Sequence, residues 1–163
     1  ILYSMKIFPG KKKRLKEIFL LKNFIVSIGW SLIPLYVSFY YDISSPLVLF
    51  LSLFIFLRIF IGVIMFDIRD IGGDKINKIE TIPIILGVRR SKYIIHILNV
   101  ISFIVILIPS VLQMLPIFKS FIVGLFSTIM GLLYTLLLDR IDIKFLTDVI
   151  VDGEYVIYGI ITI

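Results

Sequence analysis

The sequence contains no cysteine, one histidine (His96) and one tryptophan. Without cysteine there can be no disulfide and no thiolate metal site, so a bound metal must use oxygen ligands or His96. Charged residues are also scarce, at 17% of the chain, against about 25% in soluble domains. Together with 60% hydrophobic residues, against about 45–50% in soluble folds, this composition excludes a soluble globular domain and indicates an integral membrane protein.

The formal net charge of +6 could by itself suggest a nucleic-acid partner. The basic residues, however, lie in short segments between apolar runs, which is typical of the loops of a membrane protein. We therefore expect the lipid bilayer as a partner and no nucleic acid. The chain begins with Ile1 and shows no secretory leader, so we expect it to be a piece of a longer protein.

Long apolar runs make up most of the sequence. A bilayer core of about 30 Å requires roughly 20 apolar residues in a helix, and four runs approach or meet that length. A fifth run is weaker because it opens with three acidic residues. The sequence predicts an all-α, polytopic transmembrane helix bundle, a single membrane domain over 1–163, with about five spans at 24–41, 46–66, 93–115, 120–138 and 145–163.

The distribution of positive charge predicts the orientation of these spans. Thirteen of the seventeen basic residues lie in two segments, 1–23 and 67–92. Because cytoplasmic loops carry an excess of Lys and Arg, both segments are predicted to be cytoplasmic loops of a multi-pass protein of the cell membrane. The first is a basic loop and the second contains an acidic motif.

The acidic motif comprises Asp67, Asp70 and Asp74, which directly follow the second predicted span. Their spacing of i, i+3 and i+7 would place three carboxylates on one face of a continued helix. Such carboxylates repel one another and repel phosphate, so a divalent cation between the acids and a ligand would explain the cluster. Mg²⁺ suits this role because it takes a few carboxylates together with waters and phosphate oxygens. A solvated acidic loop explains the spacing equally well.

The segment Asp-Ile-Arg-Asp-Ile-Gly-Gly-Asp-Lys, with the trailing Thr81-Ile-Pro83 and Gly87, resembles the second aspartate-rich motif of the UbiA superfamily of intramembrane prenyltransferases. Two departures from that motif are Lys78, where glycine is usual, and Glu80, where a basic residue is common.

A second resemblance lies near the beginning of the chain. Leu2-Tyr3-Ser4, the basic tract that follows it and Leu21-Lys22-Asn23 are similar to the family's loop between its fourth and fifth helices. Together the two resemblances cover about the whole chain as the C-terminal half of a nine-helix prenyltransferase. The family's first aspartate motif is absent from these residues, so this chain would hold half of an active site and would be inactive alone.

The resemblance implies Mg²⁺-dependent transfer of a prenyl group from a polyprenyl diphosphate to an aromatic or lipid acceptor. The implied metal ligands, which would also be the catalytic residues, are Asp67, Asp70 and Asp74. The implied ligands of the diphosphate are Arg69, Lys75, Tyr3 and Lys6.

Two other classes compete with this interpretation. CDP-alcohol phosphatidyltransferases also use membrane-embedded aspartates with metal, but their motif needs Asp-Gly followed by Ala-Arg, which follows neither Asp67 nor Asp70. A non-enzymatic transport or assembly subunit predicts charged or broken spans, for which only Arg58 offers support. Arg58, in the middle of the second span, would have to line a polar cavity, pair with an acid or snorkel.

The Gly72-Gly73 pair predicts where the second span ends, because each glycine costs on the order of 1 kcal/mol within a helix. Pro83 predicts a fresh helical start nearby, since proline is tolerated in the first turn of a helix but not in its interior.

Overall fold

A computed structural model describes residues 20–42 and 45–162. Within these ranges the chain is helical and contains no β-strand. The elements are α1 (Leu21–Ser31), α2 (Ile33–Tyr40), α3 (Leu47–Arg69), α4 (Ile71–Ile76), α5 (Ile82–Leu86), α6 (Val88–Val111), α7 (Ile117–Leu137), α8 (Ile143–Phe145), a π-helical turn (Leu146–Val151) and α9 (Asp152–Thr162).

Four helical segments of the described residues are long and apolar enough to cross a membrane, which confirms the first four predicted spans. They are α1 with α2 (Leu21–Tyr40), α3, α6 and α7. Helix α6 begins at Val88, five residues before the predicted start, because the polar residues before the apolar run continue the same helix. The apolar runs therefore locate the spans, but the helices can extend beyond the apolar runs.

Helix α3 is the centre of the bundle and contacts α1, α2, α5, α6 and the π-helical turn. Its buried side chains form parts of two apolar clusters. One surrounds Ile61, Ile64 and Met65 together with Tyr134 of α7 and Leu146 of the π-helical turn. The other lies toward the N-terminal end of α3 and joins its apolar side chains to those of α6 and α7. Buried packing therefore extends along most of the length of α3.

The prediction that the second span ends at Gly72-Gly73 is wrong. Helix α3 ends at Arg69, Asp70 leaves helical geometry, and both glycines lie inside the short helix α4. Packing overrides glycine propensity here, since Ile71 packs against the main core and Asp74 is buried. The fresh helical start near Pro83 is confirmed, because Pro83 lies in the first turn of α5.

The turn after α4 contains Lys78, one of the two departures from the resembled motif. Lys78 adopts a φ of 56°, in the left-handed region that glycine enters without steric cost. The usual glycine at this position therefore matches the backbone conformation, and the lysine in this chain accepts local strain.

The fifth predicted span is helical but not continuous. Asp142 caps α8 by accepting hydrogen bonds from the backbone N–H groups of Lys144 (2.8 Å) and Phe145 (3.0 Å). The π-helical turn then separates α8 from α9. This segment is not one of the four helices of the described residues with the length and composition of a span.

Candidate functional site

Asp67, near the C-terminal end of α3, is fully buried in a polar contact with α1. Its Oδ1 accepts a hydrogen bond from Lys22 Nζ at 2.6 Å, and its Oδ2 accepts one from Asn23 Nδ2 at 2.8 Å. Burial of a carboxylate is tolerated when a cation and further donors surround it. The two sequence segments that carried the family resemblance therefore meet in one ion pair.

Arg69 and Asp70 form the next part of the site. The Arg69 guanidinium donates from Nε to Asp70 Oδ1 (2.8 Å) and from Nη1 to Asp148 Oδ1 (2.5 Å), and it contacts Thr147 as well. Arg69 thereby joins α3 to the π-helical turn. The Asp70 side chain remains 46% exposed. Its hydrogen bonds with Arg69 hold the pKa of the Asp70 carboxyl below its ordinary value, even though partial burial acts in the opposite direction.

Asp74 lies one turn beyond Asp70, and its N–H donates to the Asp70 carbonyl oxygen at 2.9 Å. Its side chain is buried against the bundle, whereas Lys75 is exposed on α4. Tyr3 and Lys6, the other predicted diphosphate ligands, lie outside the described residues. Among residues 20–42 and 45–162, no three acidic or histidine side chains converge closely enough to hold a metal ion by themselves.

An apolar cavity of about 850 Å³ runs beside α3. Its volume falls within the roughly 300–1,000 Å³ of small-molecule sites. The α3 residues in its wall extend from Leu51 to Phe66, a distance of about 22 Å at 1.5 Å per residue. Residues of α1, α2, α6, α7 and α9 supply most of the remaining wall. Among the described residues, the lining side chains with charged, hydroxyl or indole N–H groups are Trp30, Lys119, Ser120, Asp152, Tyr155 and Tyr158. The cavity has the size and lining for a long apolar ligand.

Phe66 joins this cavity to the charged cluster. The Phe66 ring lines the cavity, and the Arg69 guanidinium lies over the same ring at 4.8 Å from its centroid. Asp67, the next residue along the chain, points instead into the ion pair with Lys22. One end of an apolar cavity is therefore adjacent to carboxylates and cations. That arrangement suits a ligand with a charged head and a hydrocarbon tail.

Arg58 pairs with an acid, which was one of the three possibilities for this residue. Its Nη2 donates to both carboxylate oxygens of Glu154 (2.6 and 2.8 Å), and its Nη1 donates to Asn99 Oδ1 (2.6 Å). The hydroxyl groups of Tyr134 and Tyr158 also donate to Glu154. This buried network, which we call the Arg58–Glu154 network, joins α3, α6, α7 and α9.

Sequence reasoning overlooked Glu154 and assigned no role to Asp148. The signal for Glu154 was present, because a buried arginine in one span requires an acid from another. Asp148 is one of the acidic residues that open the fifth predicted run, and it is bonded to Arg69. Asp148 lies within the π-helical turn, whereas Asp152 directly follows that turn and lines the cavity.

One of three comparisons with known proteins gave a match. A search of curated proteins and a search of solved structures each found no significant match. The family model described as the UbiA prenyltransferase family matches residues 1–144, which include the α3–α4 acidic cluster and four of the helical spans. With most of its length matched, the chain belongs to the UbiA prenyltransferase family.

Proposed function

We propose that this protein takes part in transferring a prenyl group from a polyprenyl diphosphate to a hydrophobic aromatic or lipid acceptor within the membrane. The observation that carries the proposal is the junction at Phe66, where the apolar cavity meets the Arg69–Asp70 cluster. The prenyl chain would occupy the cavity and the diphosphate would lie at the cluster.

The acidic residues fit Mg²⁺ by their donor chemistry, because this ion prefers carboxylate oxygens and phosphate oxygens. Asp70, with a half-exposed carboxylate, and Asp74, one turn further on, would hold it. Asp67 would act as a third ligand only by exchanging its contact with Lys22 for the metal, since a protein donor already occupies each of its oxygens. When bound, Mg²⁺ would neutralise charge that develops on the leaving diphosphate.

The remaining roles belong to basic residues and to the cavity. Arg69 and Lys75 would bind diphosphate oxygens, Arg69 through the planar guanidinium that suits phosphate. Tyr3 and Lys6 are proposed as further diphosphate ligands. The C–O bond to the diphosphate breaks, the diphosphate leaves with the electron pair, and the acceptor bonds to the allylic carbon and loses a proton. The apolar wall would keep water from that carbon while it carries positive charge.

We further propose that the site is completed by a missing N-terminal half with its own aspartate motif, and that the α3–α4 cluster faces the cytoplasm. Two cysteines introduced singly into this cysteine-free chain, at positions 12 and 77, test the orientation. A membrane-impermeant thiol reagent should label both from the same side. Labelling from opposite sides would contradict the proposed topology.

The function is tested by measuring diphosphate release from a prenyl donor, with and without Mg²⁺, by the complete parent protein in vesicles. Asp70→Asn and Asp74→Asn should each lower the rate by at least about a hundredfold, since they remove groups that act on the leaving diphosphate. Asp139→Asn is the matched control, because Asp139 pairs with Lys92 and not with a residue of the cluster, and its side chain is 75% exposed. Asp148 is unsuitable as a control because it holds Arg69.

A non-enzymatic transport or assembly role predicts no diphosphate release under any of these conditions. Equal losses in Asp70→Asn and Asp139→Asn would remove the basis for placing the diphosphate at the α3–α4 cluster.

A further inference from the structure

Lys22 of α1 brings a positive charge into the acidic cluster from a neighbouring helix. Its Nζ lies 2.6 Å from Asp67 Oδ1, and the Asp67 side chain is fully buried while that of Lys22 is 23% exposed. The lysine is therefore the half of this ion pair that a solute can reach. A cation arriving at Asp67 has to compete with this ammonium group.

The second oxygen of Asp67 is held by a neutral group. Asn23 donates from Nδ2 to Asp67 Oδ2 at 2.8 Å and is itself buried. A buried carboxylate requires a compensating positive charge, which an amide cannot supply. Asp67 therefore depends on a cation at Oδ1, but a carboxylate oxygen accepts either an ammonium group or a metal ion in that position.

Lys22 also acts on the next acid of the cluster. Asp70 follows Asp67 by three residues at the end of α3, a spacing that places two side chains on one face of a helix. Hydrogen bonding to Arg69 is the main cause of the lowered pKa of the Asp70 carboxyl, and the positive charge of Lys22 lowers that pKa further. Lys22 therefore lies within electrostatic reach of the carboxylate proposed to hold Mg²⁺, and of a diphosphate bound there.

We propose that Lys22 is an exchangeable counter-ion, which neutralises Asp67 in the unliganded protein and moves to a diphosphate oxygen when a divalent cation takes its place. This inference rests on the proposed function, which puts the metal and the diphosphate at this cluster. A metal ion alone must displace the ammonium group from its carboxylate, whereas a metal ion with diphosphate also brings the ammonium group a new anionic partner. The flexible four-carbon stem of lysine suits such a movement. Metal binding at Asp67 is thereby coupled to the presence of diphosphate.

Two titrations of the complete parent protein, in vesicles of zwitterionic lipid, test the exchange. The first follows the binding of Mn²⁺ alone by its electron paramagnetic resonance signal, since Mn²⁺ accepts the same oxygen ligands as Mg²⁺. The second follows the binding of ³²P-labelled inorganic pyrophosphate in excess Mg²⁺. Both are made at mildly alkaline pH, where carboxylates are ionised.

The test variant is Lys22→Met, which removes the charge and keeps a long unbranched side chain. Lys92→Met is the matched control, because Lys92 also pairs with an aspartate, at 2.7 Å, and is 22% exposed. Its partner Asp139 is at the surface, where the loss of a cation matters little.

Lys22→Met should change the two affinities in opposite directions. It should raise the affinity for Mn²⁺ alone at least about tenfold, the effect expected of one charge-assisted contact that no longer competes. It should lower the affinity for pyrophosphate in excess Mg²⁺ severalfold, because the diphosphate loses one cation. Lys92→Met should change neither affinity by more than about twofold. A purely structural ion pair predicts lower stability without any gain in Mn²⁺ affinity.

The parent protein is proposed to contain a second acidic motif, so the gain in Mn²⁺ affinity has to be assigned to Asp67. The double variant Lys22→Met with Asp67→Asn should bind Mn²⁺ no more tightly than the native protein. An Mn²⁺ affinity that Lys22→Met leaves unchanged or lowers, a gain that persists in the double variant, or an unchanged pyrophosphate affinity would each overturn the proposal. Both titrations omit the prenyl donor. The two opposite changes without diphosphate release from any prenyl donor would therefore support the exchange and refute prenyl transfer.

Discussion

Replacing Glu154 by alanine removes the carboxylate that accepts two of the three hydrogen bonds formed by the Arg58 guanidinium within the described bundle. Arg58 is 2% exposed and would keep only its bond to Asn99. Removing one partner of a buried ion pair costs about 3–5 kcal/mol, because the other charge is left uncompensated. We expect Glu154→Ala to lower the free energy of unfolding by that amount.

The measurement is a denaturant titration in mixed micelles that compares Glu154→Ala with Asp139→Ala. The pair of Asp139 with Lys92 is at the surface, where an ion pair contributes about 0–1 kcal/mol. A double variant, Arg58→Met with Glu154→Leu, removes both charges and should recover more than half of the loss. The reasoning is refuted if Glu154→Ala loses no more stability than Asp139→Ala, or if the double variant is no more stable than Glu154→Ala.

Three further predictions concern the backbone and the charged cluster. Lys78→Gly should raise the free energy of unfolding by about 0.5–1 kcal/mol in the same titration, because Lys78 has a φ of 56°. Gly131→Ala should lower it by about 1–3 kcal/mol, since the added Cβ would come within 2.4 Å of Asn99 Nδ2, whereas Gly29→Ala meets open space and should be neutral or stabilising. The stability difference between the native protein and Asp70→Asn should be constant at neutral pH and disappear as the pH falls below the ordinary carboxyl pKa of about 4. The native protein should be the more stable of the two at neutral pH, because the neighbouring arginine lowers the pKa of Asp70 in the folded state.

The spans could be predicted from sequence because the bilayer imposes one requirement that depends only on local composition. An apolar run of sufficient length must be helical to satisfy its backbone, whatever its neighbours are. The end of α3 could not be predicted in this way. Glycine propensity placed it at Gly72-Gly73, but the packing of Ile71 and the burial of Asp74 keep both glycines helical.

The sequence was sufficient to identify the residues of the acidic cluster, but not the side chains that they contact. Spacing identified Asp67, Asp70 and Asp74, while the engagement of Asp67 with Lys22 depends on how α1 packs against α3. The partners of the acidic residues in the last segment were harder to predict. The π-helical turn changes the direction in which each following side chain points, relative to a regular α-helix. As a result, Asp148 contacts Arg69, Asp152 faces the cavity and Glu154 pairs with Arg58.

The most direct test of the account follows both products of the reaction at once. A prenyl diphosphate labelled with ³H in the prenyl chain and with ³²P in the terminal phosphate is supplied, with Mg²⁺ and either a hydrophobic aromatic acceptor or a lipid acceptor, to the complete parent protein in vesicles. The account predicts that ³H enters a prenylated acceptor while ³²P is released as diphosphate in equal amount. It also predicts that Asp74→Asn abolishes both and that Asp139→Asn abolishes neither. Release of ³²P with ³H found only in the free prenyl alcohol, or no release at all, would contradict prenyl transfer by this protein.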